Sequence, residues 1–472
     1  MFRGFILLTI ALMTLNAVHS PSVASSSVPM VSYTLGATTV FATHDTLAGY
    51  GFAWGPSDGT LGAIPQGGTN YLFYVPAGSS PSCPGTPNLN GAYTFTGTLD
   101  QITGSDGCKR LFGPGSGPSG WKFDANYSGG GQVVRFEAND QTGWLMVFHA
   151  EEWWLNQGTS NGKCNNVSCF YSSLGLAVST DNGKTFRVVG QILQPSQPMS
   201  VFQGGGRNMA VGTGSLVVAD ANGKHLDNPP PDPSAAYFYL FYTDLSPGMP
   251  GPCANGPCIG VARAPYLSLI QTALAGNPDL VATAFHKYGG PTPSSWTQPA
   301  TSGTPNQSGT AGVYSPLWTD ESIAQPEVIY DRALNVYLAV YETKSSIGFR
   351  ASYDLINWSG PLGSGYSETG RQLYAPTLLG ETGDPTIAGS TPRLYFTSFP
   401  SNSFPNWKTS TFETLQLNLS GTPDPSQTET AQATTITSTQ NSGFGNFSVL
   451  VAVGIIAVAA VVFAARYKKR SS

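Results

Sequence analysis

The stretch Met146-Val-Phe-His-Ala-Glu-Glu-Trp-Trp154 sets charge among aromatic rings, in a chain where only 10% of residues are charged. Carboxylates beside aromatics suit a sugar, because sugar rings stack on aromatic faces while hydroxyls take hydrogen bonds. His149, Glu151, Glu152 and Trp153 are therefore candidate binding or catalytic groups. Similar polar residues stand where strand-like units begin. They are His44 and Asp45, Arg207 and Asn208, Glu327 after Gln325-Pro326, and Tyr374 before Ala-Pro. Two carboxyls facing one glycosidic bond, one of them protonated, can hydrolyse it at roughly 5–10 Å separation. The plainer alternative for each carboxylate taken singly is an exposed loop residue or a structural cap.

Other motif letters carry little. Gly204-Gly-Gly206 is no phosphate loop, since neither Lys-Ser/Thr nor a helix pattern follows. Gly158-Thr-Ser160-Asn-Gly162 matches a nucleophile elbow in letters only, because it lies in a polar loop before Cys164. No His-Glu-x-x-His is present. No metal site and no cofactor are expected.

Strands must position these groups. Leu174, Leu176 and Val178 alternate with Gly175 and Ala177, which is a strand period. Asp181-Asn-Gly183 follows as hairpin-turn chemistry, because Asn and Gly tolerate positive φ. Ser352-Tyr-Asp354-Leu-Ile-Asn357-Trp358 follows a second short strand, Ile347 to Ala351, and Ile259 to Ala264 is a weaker third copy. Aromatic strands precede each copy: Trp144 to Phe148, Tyr237 to Tyr242 and Val336 to Tyr341. Such a recurrent unit means repetition, and the blade is its all-β form. We expect an all-β, five-bladed β-propeller, with six blades or a two-sheet sandwich as alternatives. Residues 31–110, including Val31 to Leu35 and Thr38 to Ala42, are assigned to the first blade. Residues 276–320 are read as a long surface excursion.

Ser179-x-Asp181-x-Gly183-x-Thr-Phe186 resembles the Asp box of sialidase-like propellers. Ser352-x-Asp354-Leu-x-x-Trp358 resembles an element of five-bladed glycosidase propellers of the arabinanase, xylosidase and fructosidase types. The resemblance implies a glycoside hydrolase using carboxylates from different blades. By position it implies Asp45 as the first-blade aspartate and Glu327 or Glu151 as the acid. His44, His149, Glu152, Trp153, Arg207, Asn208 and Tyr374 would bind substrate. The first-blade Asn-Asp-Pro signature is absent, as is the Phe/Tyr-Arg-Ile-Pro start of sialidases, so two carboxylates rank above an arginine triad. Asp181 and Asp354 are expected to make turns and not to catalyse. A non-catalytic glycan- or protein-binding surface module, or a structural cell-envelope protein, is the alternative function.

The 56 glycines, 36 prolines and 11% aromatics among 472 residues suit a turn-rich β protein. The net charge of −5, with no basic run in the body, disfavours nucleic acid as a partner. A carbohydrate or glycoprotein ligand is expected instead. Cysteine spacing favours the pairs Cys164–Cys169 and Cys253–Cys258, with Cys83–Cys108 by remainder, and hence an oxidising compartment.

Residues 1–20 read as a secretory signal, with Arg3, an apolar run from Phe5 to Leu15 and cleavage after Ser20 or Ala24. Val449 to Ala465 is unbroken apolar and small sequence, followed by Arg466, Lys468, Lys469 and Arg470. We expect an extracellular propeller at 25–420 and a Ser/Thr-rich stalk at 421–445. A single membrane helix at 447–466 and a basic cytoplasmic tail at 467–472 would follow. Asn126, Asn166, Asn306, Asn357, Asn418 and Asn446 begin N-x-Ser sequons, glycan acceptors where exposed.

Overall fold

Five sheets of four or five strands follow one another along the chain, and each packs on the next through its own apolar layer. The computed structural model describes residues 28–54, 58–84, 90–105, 107–138, 140–153, 169–201, 211–245, 257–289, 295–305, 307–318, 323–403 and 405–423. The proposed signal, membrane helix and tail lie outside these residues, as does the proposed stalk beyond residue 423; its first residue, Gly421, instead ends the strand Thr411–Gly421. Among the described residues no helix is long and apolar enough to cross a membrane.

The strand sequences explain the packing. Strand side chains alternate between faces, so a strand covered on both sides is apolar at every position. In Gln141–Trp153, Leu145 and Val147 face the third blade while Trp144, Met146 and Phe148 face the first. In Ala236–Asp244, Phe238, Leu240 and Tyr242 face the second blade; Tyr239 and Phe241 face the fourth. In Val336–Glu342, Val336, Leu338 and Val340 face the fifth blade, and Tyr337 and Tyr341 the third. The layer of Phe73, Phe95, Tyr395 and Phe412 joins the fifth blade to the first and completes the ring. The all-β, five-bladed propeller expected from the sequence is the fold found.

Ring closure differs from expectation. Val31–Leu35 and Thr39–Thr43 do not belong to the first blade. They lie end to end along Thr411–Gly421, pairing Val31 with Gly421 and Thr43 with Thr411. The first blade is built from Gly62–Gly67, Asn70–Ser79, Asn90–Gly97 and Ile102–Ser105, with Phe52–Trp54 at its edge. The reason is pattern: Phe41 and Ala42 are apolar on the face that meets Tyr395 and Phe412.

The Ser/Asp turns are structural, as expected. Ser179 Oγ accepts from the Gly183 N–H (3.0 Å), and Asp181 Oδ1 from the Thr185 N–H (3.0 Å). Asn182 and Gly183 take φ of 59° and 80°. In the second turn Asp354 Oδ1 accepts from the Ile356 and Asn357 N–H groups, and Leu355 takes φ 67°. The third copy has no such turn, because Cys258–Pro265 runs straight into the helix Tyr266–Ala275. Asp181→Ala removes the acceptor for Thr185 N and Oγ1. It should cost about 1–2 kcal/mol in denaturant titration and leave any activity of the chain unchanged.

Residues 276–318 are no surface excursion where described. His286–Lys287 and Gln298–Pro299 extend the third blade, and Phe285, Ala300, Gln307 and Trp318 are buried. Their Pro, Ser and Thr content hid this, because the segment is anchored by side-chain hydrogen bonds more than by regular strands. The disulfide Cys83–Cys108 is formed. Cys169 and Cys258 are disulfide-bonded too, while Cys164 and Cys253 lie outside the described residues.

Candidate functional site

All five inner edges contribute to one cavity of about 540 Å³. The first blade gives Asp58, just ahead of its inner strand. The second gives Tyr127 and, from Gln141–Trp153, the alternate residues His149, Glu151 and Trp153. A two-residue period puts these three side chains on one face and sends Glu152 to the other. The third blade gives Gly212, Thr213 and Thr243, the fourth Ala324 and Gln325, the fifth Tyr374 and Trp407.

The inner strands reach the cavity through a repeated backbone device. The third, fourth and fifth blades each break register there, between Gly212 and Gly214, Ala324 and Glu327, and Tyr374 and Thr377. Each break holds a non-glycine residue at positive φ: Thr213 (39°), Gln325 (53°) and Ala375 (52°). Bulges re-aim side chains, and backbone strain of this kind concentrates at functional sites.

Two carboxyls meet in the cavity in different surroundings. Asp58 Oδ1 accepts from Tyr374 Oη–H (2.9 Å), and Oδ2 from Tyr127 Oη–H (3.4 Å). Removal from bulk water, with Glu151 nearby as a lesser cause, pushes its pKa up to about 6 despite those bonds. Glu151 is held by two ring N–H donors. His149 Nε2 lies 2.9 Å from Oε1, and Trp153 Nε1 donates to Oε2. A third carboxyl, Glu342, stands behind Tyr374 with the Ala375 N–H at 3.5 Å, and burial pushes its pKa up to about 8.

Several sequence candidates stand elsewhere. His44 and Asp45 open the short helix His44–Gly49 beside the ring closure, and the Asp45 side chain is fully exposed. Thr43 caps that helix and Asp45 sits in its first turn, which turns the pair away from the axis. Glu152 accepts from Gln307 Nε2 (2.9 Å) in a network with Ser173 and Gln191, outside the cavity. Arg207 and Asn208 lie outside the described residues.

Glu327 is at the axis but not among the residues that line the cavity. It is 1% exposed and accepts from Gln132 Nε2 (2.7 Å). Gln132 also donates to Ser215 Oγ (3.3 Å), and Thr60 bonds to Glu327. Four blades are knotted there by one side-chain network. The blades come close enough because Gly62 and Gly131 carry no side chain; a Cβ on Gly62 would lie 2.2 Å from the Gly131 oxygen. Of the sequons, Asn126 is half-buried and accepts from the Trp153 N–H (2.7 Å), whereas Asn357 and Asn418 are exposed.

Asp58, Tyr127, Thr213, Gln325 and Trp407 were not singled out from sequence. Asp58 sits in Pro56-Ser-Asp58-Gly59, whose letters signal a turn before they signal a site.

No family model matches the chain, and no curated protein matches its sequence. Solved structures similar to it include a glycoside hydrolase of family 62 in complex with xylotriose. That structure is 11% identical, with 82% of this chain and 97% of that one covered at TM-score 0.42. The catalytic domain of a Coprinopsis cinerea family 62 α-L-arabinofuranosidase is 9% identical, with 78% and 98% covered at TM-score 0.40. A family 117 glycoside hydrolase from the marine bacterium Zobellia galactanivorans is 9% identical, with 83% and 90% covered at TM-score 0.40.

Proposed function

We propose that this protein hydrolyses glycosidic bonds, with Asp58 as general acid and Glu151 as the second carboxylate. One observation carries this: two carboxyls in one axial cavity sit in contrasting environments. Asp58 is withdrawn from bulk water and, among the described residues, its side chain accepts from two phenols, and burial pushes its pKa up to about 6. Glu151 faces it while held as an acceptor by His149 and Trp153. Hydrolysis needs this asymmetry, one group giving a proton to the leaving oxygen while the other stays charged. Asp58 keeps its proton at slightly acid pH without a basic partner. Trp153, Phe170 and Trp407 supply faces on which a sugar ring can lie.

The ligand would be an external glycan or glycoprotein. The disulfides suit a chain that folds outside the cytosol. In this proposal residues 1–20 direct export, and 447–466 hold the propeller at the cell membrane with its tail inside. The test is to incubate the purified propeller with a panel of polysaccharides and nitrophenyl glycosides and assay new reducing ends. Release from at least one substrate is expected. Binding of a glycan with no release from any substrate would overturn hydrolysis in favour of a binding module. Trp153→Ala should raise KM about tenfold, the loss of one stacked ring.

A further inference from the structure

We propose that the cavity selects a sugar bearing a protonated amine, over its N-acetylated or acidic counterpart. The inference rests on the carbohydrate-site reading above and names the ligand's charge.

Its basis is a surplus of acceptors. Asp58 and Glu151 face the space directly. Side-chain donors around them are already committed: both phenol hydroxyls point at Asp58, and His149 Nε2 and Trp153 Nε1 at Glu151. Two more cavity groups, Gln325 Oε1 and Thr213 Oγ1, have no hydrogen-bond partner among the described residues, although Thr213 is only 7% exposed. Buried polar atoms of this kind are ordinarily satisfied; a ligand donor is the group that fits the Gln325 carbonyl oxygen, while the Thr213 hydroxyl can accept from the same donor. The Asn90 amide and the Thr243 hydroxyl, which accepts from the Gln325 N–H, are the neutral polar side chains left at the wall.

Among the described residues no lysine or arginine lines the cavity. Arg110, on the far side of Asn90, spends Nη1 on the Asn90 carbonyl (3.1 Å). A uronate or sialate would bring a further negative charge to two carboxyls, with no cationic side chain among the described lining residues to receive it. An ammonium group presents three donors and no acceptor, the complement of this lining. The rings of Tyr127, Trp153, Phe170, Tyr374 and Trp407 add faces that attract a cation.

The test is calorimetric titration of the full chain at neutral pH. The probes are glucosamine, galactosamine, their N-acetyl derivatives and glucuronate. At least one free amine is expected to bind about tenfold or more tightly than its N-acetyl form, and glucuronate to give no heat. Gln325→Met, with melting temperature as a folding control, should shrink that preference severalfold. Equal binding of amine and N-acetyl forms, tighter binding of glucuronate, or no binding of either amine at millimolar concentration overturns the proposal. Amine-selective binding without turnover of any glycoside would sink the hydrolase and leave this inference standing. Turnover of neutral glycosides with no amine preference would do the reverse.

Discussion

Asp58→Asn should lower kcat by about 10²–10⁴-fold, the range for loss of a general acid or base, while leaving the propeller folded. The amide keeps an oxygen for the Tyr374 hydroxyl, at 2.9 Å in the parent, so the cavity floor is preserved. What it loses is the proton. Asp58 must be protonated to serve the leaving oxygen, and its pKa stands at about 6. Parent activity should therefore fall as pH rises through about 6, and the Asn variant should lack that limb. The parent's stability falls with rising pH as well. The folded value lies above the ordinary 3.8, so the cost of ionising Asp58 is absent in acid and grows as pH rises through both values. About two units correspond to at most about 3 kcal/mol, less because the cavity admits solvent. The Asn variant should thus melt higher than the parent at pH 8 and equally at pH 4. A variant that keeps turnover, or melts lower at both pH values, would remove Asp58 from the role.

Glu327 predicts the opposite pattern. Glu327→Gln should be close to neutral for both fold and turnover, whereas Glu327→Ala should cost about 2–4 kcal/mol in denaturant titration. Burial holds its carboxyl protonated, with a pKa well above the ordinary value. In that state a carboxylic acid and an amide are near-isosteric, and Gln keeps an oxygen for Gln132 Nε2. Ala leaves a void where four blades meet and removes the 2.7 Å bond that Gln132 makes. Because the folded pKa is raised, the parent should lose stability progressively as pH rises from the ordinary carboxyl range toward the folded value, and the Gln variant should not. Loss of turnover in a well-folded Glu327→Gln would return this residue to the catalytic set.

These two residues show where sequence reasoning carries and where it stops. The blades were legible because each strand is apolar at successive positions and is followed by a recurring turn, as at Ser179 and Ser352. Glu151, His149 and Trp153 were legible because charge set among aromatic rings is rare in this chain, but that signal took in Glu152 as well, which the alternation of the strand sends to the other face. Glu327 was placed at the axis end of its strand, but one bulge decides which side chain enters the cavity. Gln325 takes φ 53° and turns Glu327 beneath the floor. A register break of one residue leaves no trace in composition or period. Asp58 was passed over because turn letters surround it. Asp45 was favoured only because Val31 to Ala42 was counted as the first blade, and local sequence holds no sign of a partner strand at the other end of the chain.

That distant partner has a consequence for how the molecule comes into being. Ser32 and Ser420 bond side chain to side chain across 388 residues of sequence. The earliest-made strands therefore wait, unpaired, until almost the whole propeller has been synthesised. The other blades complete themselves from neighbouring sequence, a fast and local process. The last one closes the longest loop in the molecule, and contacts of such separation are slow to form. Assembly should end in one late step, seen as a slow kinetic phase carried by residues 31–43 and 411–421, before which the fifth blade stands open at its outer edge.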